Sequence, residues 1–339
     1  MTVDAWYNLT MKIRLVSDLH IDINSEYELD FKREGLEDVF TIVAGDICGS
    51  PERAAKWIKH NLSRGAFISG NHDVYESDMP IEDIKSFFAK EFPVENDVTY
   101  FDNDIGVVSK DIGDNLLLVA DVMYTDYRYP AGFRNPTGDV KHNIVLADPW
   151  LNGRSGMNDF NYGKCKKTWP GVNDKDSLKY HRLVPQYYLE HHIKTFEDIT
   201  CIVESNLSKD IILVTHHCLS PKCLDDEHAE SSITASYVSD KEDWIKAHPN
   251  LKCVCSGHIH ARKEFHVGSA LYVMNPLGYC TEHFKQWSNR DNKYMPWTPD
   301  CLIDTSNWTV EFKPHDMPEW IKKYEEHAEQ FKQLAPFLM

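Results

Sequence analysis

Asp18, His20, Asp46, Asn71, His72, His216, His258 and His260 offer carboxylate, amide and imidazole donors, and each stands just after a short apolar run. No thiolate belongs to the set, so its chemistry suits Mn²⁺, Fe or Zn²⁺ better than a soft metal. In Asp18-x-His20 and again in His258-x-His260, a spacing of two puts both side chains on one side of an extended segment, where they can share a metal.

Those residues need elements that bring them together. Apolar runs at 12–16, 39–44, 66–69, 211–214 and 252–256 read as buried strands, and a polar cluster follows each of them. Helical segments at 51–61 and 80–90 lie between strands, and each opens with a proline suited to a first helical turn. Strand and helix in alternation indicate an α/β core, in which ligands sit at the carboxyl ends of the strands. Five strand-end clusters are therefore expected to converge on one place.

The remainder is less regular. Residues 121–180 are rich in Tyr, Asn, Gly, Pro and Asp and read as a loop-rich insertion, whereas 177–208 carry helical patterning. Strands return around 264–275 and 308–312, and 318–334 read as a terminal helix. The expected organisation is a single domain over 11–312 with the insertion at about 121–180, followed by a helical tail at 313–339.

Composition narrows the class. The chain has 339 residues, 42% hydrophobic and 26% charged, as an ordinary globular protein has. No apolar run approaches the length of a membrane span, and residues 1–10 show no basic region followed by an apolar stretch. Nine scattered cysteines then read as reduced thiols of a cytoplasmic protein. A formal net charge of −17 argues against nucleic acid as partner, because backbone affinity comes from clustered Lys and Arg.

Asp18-x-His20, Gly45-Asp46, Gly70-Asn71-His72-Asp73, His216 and Gly257-His258-x-His260 resemble, in order, the motifs of the calcineurin-like metallophosphoesterase superfamily. The likeness extends over about residues 11–312. Met157-Asn158-Asp159-Phe160 and Asn275-Pro276-Leu277-Gly278-Tyr279 resemble segments of its bacterial-type subgroup. One departure is Gly45-Asp46-Ile47-Cys48-Gly49-Ser50, where many members carry a further acidic or Asn residue before a glycine.

The resemblance implies a four-layer α/β fold, two mixed β-sheets packed face to face and flanked by helices. It implies two divalent cations, Mn²⁺ favoured and Fe or Zn²⁺ as alternatives. One would be held by Asp18, His20, Asp46 and His260, the other by Asp46, Asn71, His216 and His258, with Asp46 bridging. His72 would donate to the phosphate, and Asp73 would fix its orientation.

Such a centre hydrolyses phosphate esters by in-line attack of a metal-bridging hydroxide, while the cations take up charge on the phosphate. The favoured substrate is a small phosphodiester or phosphomonoester. A metal-dependent nuclease and a non-catalytic binding protein on the same fold are the alternatives. Asn158, Tyr124, Arg128, Arg134 and Tyr279 are candidates for substrate contacts. His217, directly after His216, reads as structural or as a neighbour of the ligands.

Overall fold

The computed structural model describes residues 11–24, 36, 38–113, 115–153, 156–169, 180–279, 282 and 297–313. In chain order its strands are β1 (Lys12–Val16), β2 (Phe40–Ala44), β3 (Gly65–Ile68), β4 (Val98–Tyr100), β5 (Ser109–Gly113), β6 (Leu116–Ala120), β7 (Lys164–Cys165), β8 (His181–Arg182), β9 (Asp210–Val214), β10 (Leu251–Ser256), β11 (Lys263–Val267), β12 (Ala270–Met274), β13 (Cys301–Asp304) and β14 (Thr309–Phe312). They form two six-stranded sheets, ordered β14-β13-β1-β2-β3-β4 and β11-β12-β10-β9-β6-β5. β7 and β8 pair separately.

Both sheets are mixed. β1 to β4 run parallel, with β13 and β14 antiparallel at one edge. In the second sheet β6, β9, β10 and β12 are parallel, with β5 and β11 antiparallel at the edges. The strands of a parallel centre are buried on both faces, which is why they read as unbroken apolar runs. Every residue of β2 and β6 is buried.

Side-chain alternation divides each central strand between two cores. Leu15, Ile42, Ala44 and Ile68 of the first sheet meet Leu118, Ile212, Val214, Cys253 and Cys255 of the second in one cluster between the sheets. Val16, Val43 and Phe67 point the other way, against Ala54, Ile58, Ile84 and Phe88 of helices Pro51–Asn61 and Ile81–Glu91. Beyond the second sheet, Leu213 and Val254 pack with Ile199 and Val203 of helix Pro185–Ser205. The result is the expected helix–sheet–sheet–helix stack.

The described residues within 121–180 are more ordered than a loop reading allows. Asp139 accepts the His142 N–H and starts helix Val140–Ala147, and short helices follow at Pro149–Asn152 and Asp159–Tyr162. These pieces are too short to show a helical period. β13 is likewise a strand that patterning does not reveal. The expected helix at 318–334 lies outside the described residues. Among the described residues no helix is long and apolar enough to cross a membrane, and the cysteines are unpaired.

A buried ionic cluster joins the outer helix of the first sheet to the edge of the second. Lys85 Nζ lies 3.1 Å from Asp102 Oδ2 and 2.6 Å from Asp104 Oδ2. Asp121, at the end of β6, accepts the Asn103 and Met123 N–H groups at 2.8 and 2.7 Å. Burial and the nearby Asp102 push the Asp121 carboxyl up to about 8.

Candidate metal centre

The parallel strands of both sheets end on one side of the molecule, and the chain there leaves extended geometry at once. Asp18 (φ 52°), His20 (φ 42°), Asp46 (φ 54°) and His258 (φ 68°) all have left-handed backbone. The expectation that each D-x-H or H-x-H pair shares one side of an extended segment is therefore corrected. Each such residue costs roughly 1–3 kcal/mol and persists only where surrounding structure holds it. Here the hold is explicit: the Asp18 N–H donates to Gly45 O at 3.0 Å and the His20 N–H to Asp46 O at 3.1 Å. The His258 N–H donates to Asp18 Oδ1 at 2.9 Å.

The same region stitches the two sheets together. Ser17 bridges Pro276, Leu277 N–H donates to Ser17 O, and Gly278 N–H donates to Asp18 O. Asn275 Nδ2 donates to Leu15 O at 2.8 Å, and His216 Nδ1 lies 2.8 Å from Ala44 O. Residues following β12 and β9 in the second sheet are thereby fixed against β1 and β2 in the first.

The result is a compact donor cluster. His20 Nε2 and His260 Nε2 face each other at 3.2 Å, and His260 Nε2 is 3.5 Å from Asp18 Oδ1. Asp46 Oδ2 lies 3.8 Å from His20 Nε2 and 3.4 Å from His216 Nε2, which in turn is 2.9 Å from Asn71 Oδ1. Three groups with metal-holding geometry overlap here: Asp18 with His20 and His260, Asp18 with Asp46 and His216, and His20 with Asp46 and His72. His258 stands at the margin, its ring 5.2 Å from that of His216.

This arrangement fits cations. Asp18 Oδ2 and His258 Nε2 are buried without a hydrogen-bond partner, which costs free energy unless something positive satisfies them. Two imidazole nitrogens at 3.2 Å are satisfied together by an ion that both can ligate. Burial opposes the charge on Asp46, yet His216, His72 and His20 outweigh it and hold the carboxyl well below its usual range. Burial likewise opposes charge on His216, but Asp46 raises it to about 9.

Asp73 does not orient His72, which corrects the role expected of it. Its Oδ1 accepts the Ile47 and Cys48 N–H groups at 3.1 and 3.2 Å, and its Oδ2 accepts the Gly70 N–H at 2.7 Å. The turn His72–Val74 swings the carboxylate inward, so Asp73 shapes the backbone around Asp46. His72 instead meets Tyr279, whose hydroxyl lies 2.6 Å from His72 Nε2.

Further residues in the site escaped the sequence reading. Glu282 Oε2 lies 2.6 Å from His260 Nδ1, the position of a carboxylate that orients a metal-ligating histidine. Asp159 accepts from the Tyr75 hydroxyl at 3.2 Å and the Tyr188 hydroxyl at 2.9 Å, and the Tyr75 ring lies 4.0 Å from His72. Neither carboxylate has a telling spacing from its partner; Asp159 lies within the Met157–Phe160 segment, and Glu282 lies three residues beyond the Asn275–Tyr279 segment.

Of the substrate-contact candidates, Tyr279 reaches the cluster, Asn158, Arg128 and Arg134 are exposed, and Tyr124 is buried. Tyr124 stacks on Tyr188 at 3.7 Å, so it packs and cannot receive a base. His217 is buried with its ring 4.2 Å from His258 and neither nitrogen hydrogen-bonded.

Two glycines leave room for the ligands. A Cβ on Gly45 (φ +89°) would lie 2.4 Å from His216 Nδ1, and one on Gly70 would lie 2.0 Å from Asp46 Oδ1. Gly70→Ala is expected to displace Asp46 and lower kcat/KM on the order of 10²-fold, the usual cost of shifting a reacting group by about an ångström. Parallel measurement of unfolding checks this: a loss of fold equal to the loss of activity would refute a local effect.

No protein-family model matches the chain, and no curated protein matches it in sequence. Among solved structures it is similar to a phosphopantetheinyl hydrolase from Mycobacterium tuberculosis, with TM-score 0.61 and 15% identity over 91% of this chain and 99% of the other. It is also matched to a dimetal phosphatase from Danio rerio (TM-score 0.45, 13% identity, 78% and 86% covered). A putative 5'-nucleotidase from Staphylococcus aureus is a third match (TM-score 0.41, 12% identity, 95% and 58% covered). The four-layer architecture, its order of strands and the first of these likenesses give one conclusion: this chain has the calcineurin-like metallophosphoesterase fold.

Proposed function

We propose that this chain is a hydrolase of small phosphate esters, diesters or monoesters, that works with two divalent cations, Mn²⁺ before Fe or Zn²⁺. The observation that carries the reading is the overlap of three donor groups at the joined ends of both sheets, with Asp46 beside Asp18 and His216 in one and beside His20 and His72 in another. Asp18, His20, Asp46 and His260 would hold one cation, and Asp46, Asn71, His216 and His258 the other. Bound cations supply Lewis-acid polarisation of the phosphate and acidify water.

The chain's own residues do the rest. Two carboxylates offset only half the charge of two divalent cations, so the pocket attracts an anion although the protein carries −17 overall. His72 is half-buried while Asp18, His20, Asp46, Asn71, His216 and His258 are buried, so the imidazole stands where an ester meets the cluster. Its ring is held between Tyr75 and Tyr279 on the rim of the cluster. Glu282 keeps His260 turned toward Asp18. The fold shared with the mycobacterial hydrolase supports the same reaction class.

The test is hydrolysis of bis-p-nitrophenyl phosphate and p-nitrophenyl phosphate by chelator-stripped protein before and after Mn²⁺ is restored. Release of p-nitrophenol only with metal is expected, and the preferred ester distinguishes a diesterase from a monoesterase. Metal-loaded protein that turns over neither of these, nor any small phosphate ester, would overturn the reading.

A further inference from the structure

Tyr279 occupies a position that no motif of the metal ligands demands. Its ring packs 4.6 Å from His20 and 4.7 Å from His260, and its hydroxyl lies 2.6 Å from His72 Nε2. The backbone is fixed as firmly as the ring. The Tyr279 N–H donates to Glu282 Oε2 at 2.9 Å, the same oxygen that meets His260 Nδ1, and the preceding Leu277 and Gly278 N–H groups are tied to Ser17 and Asp18. A phenol placed so firmly over two candidate ligands and against His72 has little orientational freedom left to lose, as a preorganised donor requires.

Resting on the phosphoesterase reading above, we propose that Tyr279 is a catalytic residue whose hydroxyl donates a hydrogen bond to the leaving oxygen of the ester, with its own oxygen held by the Nε2–H of His72. Exposure points to the leaving oxygen as the partner of this hydroxyl. The cluster is buried on its protein side, whereas Tyr279 and His72 are both half-buried, on the open rim through which a leaving alcohol departs. With cations bound, in-line attack of a water from their side would put the leaving oxygen on the side away from them, where a rim donor stands. With the His72 hydrogen on Nε2, the phenol oxygen accepts at 2.6 Å and the phenol hydrogen is free to serve the leaving oxygen. This also changes the part played by His72, which acts on the ester through Tyr279.

A donor to the leaving oxygen matters more as that oxygen becomes more basic. The test is a series of aryl methyl phosphodiesters of graded phenol acidity, assayed with Mn²⁺-loaded wild type, Tyr279→Phe, His72→Ala and the double variant. For Tyr279→Phe the loss in kcat is expected to reach on the order of 10²-fold with the least acidic phenol and to be about tenfold with p-nitrophenol. The ratio between esters is taken within one preparation, so partial unfolding or partial metal loading does not alter it. Adding Tyr279→Phe to His72→Ala is expected to cost far less than in wild type, because the two act as one unit.

A loss equal for every ester would overturn the proposal, and so would full additivity of the two variants. Wild-type protein that binds metal and hydrolyses none of the series would overturn the functional reading itself, and this inference with it.

Discussion

Asp46→Ala is expected to lose metal-dependent phosphate-ester hydrolysis by at least about 10³-fold and to hold one cation at most. Removing a single electrostatic donor from an active site costs about 10²–10³-fold, and Asp46 touches more than one partner. Its Oδ2 lies between His20 Nε2 at 3.8 Å and His216 Nε2 at 3.4 Å, while its Oδ1 accepts the His72 N–H at 2.8 Å. Loss of the side chain therefore frees the candidate ligands on both sides and the backbone of the residue that carries the rim imidazole. Asp46→Asn is the informative companion, because it keeps shape and a hydrogen-bond acceptor while removing the charge. Both variants should stay folded, since the cores between and outside the sheets do not depend on Asp46. Near wild-type rates in Asp46→Asn would show that the carboxylate charge holds no cation.

Lys85→Met should destabilise the fold by about 3–5 kcal/mol near pH 8, the range for breaking a buried ion pair by removing one partner. Lys85 is 2% exposed and Asp102 1%, so Asp102 would be left buried with its countercharge gone. Burial already raises the Asp102 carboxyl against the pull of Lys85, and without the lysine it rises further. As pH falls, Asp102 takes up a proton in the variant and its deficit shrinks. Wild type gains less over the same range, because Lys85 still opposes the upward push of burial on Asp102. Burial disfavours the charge on Asp104, but Lys85 outweighs it and lowers the carboxyl to about 2. A carboxyl lowered in the folded state stabilises above its unfolded value and loses that contribution as pH falls toward about 2. Denaturant unfolding at pH 8 and pH 5 tests the Asp102 part: the gap between wild type and variant should narrow at the lower pH, while the Asp104 contribution stays in place down to about pH 4. A gap below about 1 kcal/mol at pH 8, or one that does not change with pH, would contradict this description of the cluster.

Parallel strands buried on both faces leave unbroken apolar runs, so the cores of β1, β2, β3, β9 and β10 and the polar residues behind them were legible from sequence. Convergence followed from the rule that such sheets gather ligands at their carboxyl ends. Backbone direction past the strand ends was not legible, because a left-handed residue such as Asp18 or His258 is imposed by tertiary hydrogen bonds and leaves no period in the sequence. Adjacency misled at Asp73: next to His72 in the chain, it is turned by a 3₁₀ step onto the N–H groups of Ile47, Cys48 and Gly70. Glu282 and Asp159 act through His260 and Tyr75, partners 22 and 84 residues away, and no spacing connects them. Tyr124 shows the reverse error, an aromatic in a loop-like stretch that the fold closes into its core.

On this reading the joined ends of the two sheets hold a pair of cations with Asp46 between them. The check is to count Mn²⁺ bound to chelator-stripped protein, by elemental analysis after equilibrium dialysis and by electron paramagnetic resonance. The expected result is two Mn²⁺ per chain with a spin-coupled signal, reduced in Asp46→Ala to at most one uncoupled ion. Wild-type protein that retains no Mn²⁺, Fe or Zn²⁺, or binds them equally well without Asp46, would contradict it.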